Sequence, residues 1–255
     1  MKSETYIPSD ALKPYIKSFI IQETDKEQIY KVLPDTGIVI GFQYKGRLSY
    51  LENKNETPLS VSGVTGLLDS YRIFKNSPDI GTILVLFKEA GATPFFKQPL
   101  HELFRESLSL DNFMLRSELL LLEEQLCEAD SGKKRIDLVE QFLISKMTAT
   151  EPDKLVLTAL SLIHKSKGNI RIRELMEQLH ISQSPLEKRF RQVIGTSPKK
   201  FASIVRLKNT IQQHNKHNSL TDLSYEAGFY DQAHFIKEFK TFTGERPEDY
   251  FFPKD

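Results

Sequence analysis

Two domains of different class are predicted by this sequence. The first is an α+β N-terminal domain, a small β-rich sheet or barrel-like module plus helices. The second is an all-α C-terminal domain with two helix-turn-helix units joined by a linker helix. Three observations predict this layout. Short β-branched and aromatic segments separated by turn residues fill roughly the first 90 positions. The apolar period becomes helical from Asn112 onward. Two later stretches, Ile172 to Gly195 and Leu220 to Gly244, each read as a short amphipathic helix, a tight turn and a second helix. At 255 residues the chain is long for one core. The hinge falls in Ala149-Thr-Glu-Pro-Asp153, where Pro152 breaks the helical pattern, so the domains are expected at 1–150 and 151–255.

The predicted strands are Ile29 to Leu33, Gly37 to Phe42, Tyr71 to Phe74 and Thr82 to Phe87. They are punctuated by Pro34-Asp-Thr-Gly37, Lys45-Gly46 and Asn76-Ser-Pro78. Pro34, Gly37, Gly91 and Pro94 mark irregular loops at strand ends, where pockets often lie. Phe42, Tyr44, Tyr71 and Phe87 are either pocket lining or plain core. Residues 93–105 read as loop and short helix. Leu115, Leu119, Leu122 and Leu126 then recur at 4-3-4 spacing, predicting a helix over Asn112 to Ala129. Its stripe packs on its own domain or forms a dimer seam, and under two heptads it is too short for a free-standing coiled coil. Ser131-Gly132 ends this helix, and a second runs from Ile136 to Met147.

With 39% apolar and 27% charged residues the chain can bury substantial cores, which excludes a disordered class. Its longest apolar runs fall far short of the ~20 residues of a membrane span. Met1-Lys-Ser-Glu-Thr5 lacks a signal peptide's plan, so a cytoplasmic location is expected. The net charge of +1 hides an asymmetry: Asp153 to Asp255 carries 17 Lys+Arg against 12 Asp+Glu. Arg171 to Lys208 alone carries nine cations against three acids, the local excess that a phosphate backbone selects.

Chemistry of other kinds finds little support. His214 and His217 lack further visible metal ligands and read as a polar loop, so no metal and no cofactor is expected. Ser197-Pro-Lys-Lys200 matches a Ser-x-x-Lys pattern, but at a helix start in a basic patch it reads as a cap plus phosphate binding. Cys127 reads as a small buried hydrophobe.

In the first unit Ile172, Leu175, Met176 and Leu179 form the bracing helix's apolar face. Leu186, Phe190 and Val193 or Ile194 face inward from the second helix, leaving Gln183, Ser184, Glu187, Lys188 and Arg191 outward. In the second unit Leu223, Ala227 and Phe229 pack on Phe235, Phe239 and Phe242. Asp231 can cap the next helix, so that Gln232, Ala233, His234 and Lys237 point away from the core. Gln suits the paired N6/N7 edge of adenine, and Lys the O6/N7 acceptors of guanine. Arg191, Lys199, Lys200, Arg206, Lys208 and Lys240 are candidates for phosphate. Pro198 to Gln213 reads as one helix capped by Ser197, a strut of roughly 24 Å at 1.5 Å per residue. Such a strut suits two reading helices that meet successive major-groove segments about 34–36 Å apart.

The spacing Gly228-Phe229, Phe235-Ile-Lys-Glu-Phe239-Lys240 and Gly244-Glu-Arg-Pro247 resembles the AraC family of transcriptional regulators. So does the first unit at Leu175, Leu179, Ser182, Leu186, Phe190 and Gly195, and the likeness covers about Leu155 to Phe252. It implies a seven-helix DNA reader with base-contacting positions at Ser184, Glu187 and Lys188 and at Gln232, Ala233, His234 and Lys237. Double-stranded DNA is then the partner, with RNA polymerase, a small-molecule effector and a homodimer through residues 112–148 as further expectations, and activation rather than repression. Departures stand out. Lys188 and Lys237 replace the usual Arg, losing its bidentate fork. Gln212-Gln-His214 replaces leucines. Ser184-Pro-Leu-Glu187 also reads as a capping box that would draw Glu187 away from a base. Pro34 to Gly37 and Phe87 to Leu103 look like segments of one group of N-terminal sensor domains whose effectors are generally unknown. Two rival readings remain: a DNA-repair alkyl transferase, which would need Cys127 as its reactive thiolate, and a constitutive binder whose N-terminal half only scaffolds.

Overall fold

The run Ile80-Gly-Thr-Ile-Leu-Val-Leu-Phe87 is apolar on both of its alternating faces, the mark of a strand covered on two sides. The computed structural model describes residues 2–53, 55–213, 219–229 and 231–252, and places this run in the interior of a sheet. Strands β1 (Lys2–Tyr6), β2 (Ile16–Thr24), β4 (Val39–Lys45), β7 (Ser62–Thr65), β9 (Ile80–Phe87) and β10 (Ser107–Ser109) form it, in the order β1-β2-β9-β4-β7-β10. A second sheet has the order β3-β8-β5-β6, from β3 (Gln28–Val32), β5 (Leu48–Glu52), β6 (Asn55–Pro58) and β8 (Arg72–Asn76). The strand pairs are antiparallel.

Register explains which face is core. Ile83 of β9 lies between Ile21 of β2 and Phe42 of β4, and all three are buried. The next row, Ile20, Leu84 and Gly41, faces the other way. The Ile83 face is roofed by α1 (Arg116–Glu128) and α2 (Gly132–Lys146). Leu119, Leu122 and Leu126 from α1 and Ile136, Val139 and Leu143 from α2 share its core with Ile40, Phe42 and Val85. The leucine stripe therefore packs on its own sheet.

Four expected strands appear with shifted ends, and six others were not expected. β6 is exposed throughout, so no apolar alternation announces it. β4 begins at Val39 rather than Gly37, where a Cβ would stand 2.4 Å from the Phe87 carbonyl oxygen. α1 starts at Arg116 instead of Asn112. Leu115 is its N-cap, extended and 68% exposed, because a 3-10 turn at Leu110–Asn112 already breaks the helical path. Cys127 is exposed, not buried, with its thiol 3.3 Å from the Tyr44 carbonyl oxygen. It lies one position past Leu126, off the face that the helix buries.

The C-terminal region holds seven helices among the described residues. These are α3 (Lys154–Lys165), α4 (Ile172–Leu179), α5 (Gln183–Ile194), α6 (Pro198–Gln213), α7 (Leu220–Glu226), α8 (Gln232–Thr243) and α9 (Pro247–Phe251). Residues 147–153 join the two halves, and Asp153 caps α3 through the Leu155 and Val156 amides. The halves are docked. Leu67 enters the core of α3–α6, the 3-10 turn Leu100–Leu103 packs on α5, and His164 of α3 donates to both Glu89 carboxylate oxygens at 2.9 and 2.8 Å.

That last contact makes docking respond to pH. Glu89, accepting the His164 Nε2–H, raises the imidazole pKa above its ordinary value against an opposing effect of burial. The contribution is therefore full below about pH 6.5 and disappears as pH rises through the raised value. His164→Gln should lower the urea midpoint at pH 6 and leave it nearly unchanged at pH 9. An equal loss at both pH values would show that the charge is irrelevant.

Candidate nucleic-acid interface

Helix α6 organises this half. Its Phe201, Ala202 and Val205 join the first core, with Val156, Ala159, Leu160 and Ile163 of α3 and Leu175, Leu186, Phe190 and Ile194 of the first unit. Its Ile204 and Leu207 join the second, with Leu223, Ala227, Phe229, Phe235, Phe239 and Phe242. Residues one or two apart on a helix point in different directions, so one strut supports both units from two faces. It spans Pro198–Gln213, with the Ser197 hydroxyl accepting from the Lys200 amide at 3.3 Å.

In the first unit α4 ends at His180, whose φ of 50° gives the left-handed turn into α5. Leu186, Phe190 and Ile194 are buried, whereas Ser184, Lys188 and Arg191 are exposed. Ser182 rather than Ser184 is the N-cap of α5, so the expected capping box is absent. Glu187 instead accepts from the Gln183 side chain at 2.8 Å and is half-buried.

In the second unit Gly228, with φ +71°, turns the chain from α7 toward α8. Asp231 caps α8 by accepting from the His234 amide at 2.7 Å. Phe235, Phe239 and Phe242 point inward, leaving Gln232, Ala233, His234, Lys237 and Lys240 exposed. The expected polar loop with His214 and His217 lies outside the described residues. Among the described residues no group of three or more His, Cys, Asp or Glu could hold a metal. None of their helices is long and apolar enough to cross a membrane.

The cations expected to meet phosphate divide into three kinds. Arg191, Lys199 and Lys240 are exposed. Arg206 is engaged internally: Nη2 lies 2.9 Å from Glu238, the guanidinium stacks 4.0 Å over Phe229, and Nε is buried. Its place on the α6–α8 contact makes it a clamp between the strut and the second unit. Lys200 and Lys208, the third kind, are bound by the N-terminal half. Lys200 lies 2.9 Å from the Asp69 carboxylate, which also takes two bonds from Arg105 at 2.6 and 2.7 Å. Lys208 is ion-paired with Asp35. Burial raises the pKa of both acids, yet the hydrogen bonds from Arg105 and Lys200 on Asp69, and from Lys208 on Asp35, override it and hold both low. Both stay ionised at neutral pH. Sequence reasoning missed these two carboxylates, because nothing local links position 69 to position 200.

One further contact concerns the reading face itself. His234, Lys237 and Glu238 of α8 line a cleft of about 290 Å³ together with Lys200 and Asp69. Glu238 there accepts from Ser203 at 3.0 Å and pairs with His234 at 3.2 Å.

Residues 175–251 match a family described as "Helix-turn-helix domain", and residues 4–109 match one described as "Domain of unknown function". The chain is similar to the Msm operon regulatory protein of Streptococcus mutans, with 26% identity over 153 residues, 58% of this chain. That alignment spans 55% of the relative, about half its length. It is also similar to an HTH-type transcriptional regulator of Haemophilus influenzae, 22% identical over 80% of this chain and 73% of the other. Both named relatives are regulators, whereas the alkyl-transferase reading requires Cys127, which stands on α1 of the other domain. Among solved structures, ToxT from Vibrio cholerae aligns over 98% of this chain and 97% of its own, at 11% identity and a TM-score of 0.47.

The turn of the second unit can be tested directly. A Cβ at Gly228 would need a strained backbone and would stand 2.3 Å from the Asn169 side-chain oxygen. Gly228→Val should cost about 1–3 kcal/mol from backbone strain alone. A native-like denaturation midpoint would refute this packing.

Proposed function

We propose that this chain, an AraC-family DNA-binding regulator of transcription, activates promoters in answer to a signal received by its N-terminal domain. In this reading Gln232, Ala233, His234 and Lys237 meet base edges in one major-groove segment, and Ser184, Glu187 and Lys188 meet those of the next. Their exposure on α5 and α8, Glu187 being half-buried, supports that assignment. Arg191, Lys199, Lys200, Lys208 and Lys240 bind phosphates and set the register.

The observation that carries the regulatory part is the pairing of Lys200 with Asp69 and of Lys208 with Asp35. A carboxylate and a phosphate oxygen compete for the same ammonium group. Each lysine held by the N-terminal half is one fewer counterion-releasing contact to DNA. The reading face of α8 also borders the domain cleft that contains Asp69. The docked arrangement is thus the weakly binding state, and a small-molecule signal loosens it, exposing the cations and a surface for RNA polymerase.

Homodimerisation through residues 112–148 belongs to the same reading, since Leu115, Leu120 and Leu121 on or beside α1 are 68%, 49% and 57% exposed. Sedimentation should give twice the chain mass at micromolar concentration, and Leu120→Lys with Leu121→Lys should halve it. A monomer in both cases would remove the dimer from the reading.

DNA binding separates the contact types. Asp35→Asn and Asp69→Asn should each tighten binding to any duplex several-fold and steepen the log–log salt slope by about one unit per freed lysine. Lys237→Ala should instead cost roughly 1–3 kcal/mol at a selected site and relax preference at one base pair. Unchanged affinity in both Asp variants, with native melting, would overturn the competition. Equal losses on selected and random duplexes would make Lys237 a phosphate contact.

A further inference from the structure

Glu238 lies one helical turn beyond His234 on α8, and both of its carboxylate oxygens are engaged. Oε2 accepts from the Arg206 guanidinium at 2.9 Å and from the Ser203 hydroxyl at 3.0 Å, both on the strut α6. Oε1 meets Nε2 of His234 at 3.2 Å. Phe229 completes the set: Arg206 stacks 4.0 Å over its ring, and the His234 imidazole stands edge-on to it at 5.7 Å. One acid thus ties a side chain of the reading helix to the strut. These partners all belong to the C-terminal half, so opening of the domain cleft leaves them in place.

The two oxygens impose different demands. Arg206 can only donate, so whatever occupies the Oε2 position must accept. At the Oε1 position, an unprotonated Nε2 would set its lone pair against the carboxylate's at 3.2 Å. Nε2 therefore carries the ring proton. A neutral imidazole has one donor and one acceptor nitrogen, which leaves Nδ1 as the acceptor. Nδ1 has no hydrogen-bond partner among the described residues, and the side chain is 50% exposed. In the major groove an acceptor is met by the amino groups at adenine N6 and cytosine N4, whereas guanine O6 and thymine O4 repel it.

We propose that Glu238 is a positioning residue for base recognition: it fixes the His234 ring as the Nε2–H tautomer, so that Nδ1 selects an amino-bearing base, adenine or cytosine. The selectivity rests on the reading above that His234 meets a base edge, but the tautomer does not. The Arg206 anchor supplies the sharpest consequence. In Glu238→Gln the side-chain oxygen must stay with Arg206, which turns the amide nitrogen toward His234. Nε2 then has to accept, the ring proton shifts to Nδ1, and the group offered to the groove becomes a donor. The preferred base should change from amino-bearing to keto-bearing, guanine or thymine.

The tautomer is read on the full chain, isotope-labelled at its histidine nitrogens and observed at pH 9 by long-range proton–nitrogen correlation. The His234 ring is identified by its loss in His234→Ala. The native ring should carry Nε2–H and the Glu238→Gln ring Nδ1–H. Selection from random duplexes at the same pH reads the consequence. The native chain should favour adenine or cytosine at one position by about three- to tenfold, and Glu238→Gln should favour guanine or thymine there by a similar factor. With His234→Ala in place, Glu238→Gln should change nothing at that position. An unaltered tautomer in natively melting Glu238→Gln would overturn the proposal. So would a keto preference in the native chain that vanishes in His234→Ala, a comparison that holds even if Glu238→Gln fails to fold. A tautomer that switches while no base position responds to His234→Ala would sink the base-contact reading and the selectivity built on it, leaving the positioning by Glu238 intact.

Discussion

Everything in the C-terminal half depends on one helix having two apolar faces. Phe201, Ala202 and Val205 commit α6 to the first unit, while Ile204 and Leu207 commit it to the second. Each unit alone is a pair of short helices, and α4 and α7 have eight and seven residues. Helices of that length are marginal in isolation. Packing on the strut stabilises them and also fixes how the two reading helices are mutually disposed. Arg206 reinforces the arrangement, since it leaves the strut, stacks on Phe229 and reaches Glu238 of α8.

The N-terminal domain is docked largely by charge where it meets cations of the other half. Asp69, Asp35, Glu89 and Glu245 face Lys200, Lys208 and His164 from the C-terminal half and Lys31 across the same boundary. Lys31 and Glu245 reverse the polarity of the other pairs. The Asp35, Glu89 and Glu245 pairs are partly exposed, where an ion pair contributes little stability and is screened by salt, whereas the Asp69 carboxylate is buried. The apolar contacts are local: Leu67, Ala90 and Phe104 join the first core, the Leu100–Leu103 turn packs on α5, and Leu33 leans on the second core.

Legibility in the sequence followed the range of the forces involved. The second unit was readable because Gly228, the Asp231 cap and the Phe235-Phe239-Phe242 spacing act within a few residues. β9 was readable because its interior place leaves it apolar on both faces. β6 and β10 were not, since edge strands with exposed or half-exposed residues need no apolar alternation. The capping box expected at Ser184 failed for a related reason: α5 begins two residues earlier, at Gln183 rather than Pro185, so Ser182 takes the cap position and Glu187 turns to Gln183. Leu115 matched the leucine spacing yet lies outside the helix.

The sequence by itself determined the helix-turn-helix pair, the strut and the cationic character of that half, because caps, turns and helical periodicity are encoded over neighbouring positions. The tertiary structure alone decided which cations stand free. Lys200 and Arg191 look alike in the sequence, but only Lys200 meets a carboxylate from 131 positions upstream. It likewise decided that the leucine stripe roofs its own sheet and that Leu33 and Asp35 face both a cleft and the strut. Such pairings arise from where folded surfaces come to rest against each other, and no local rule of spacing specifies that.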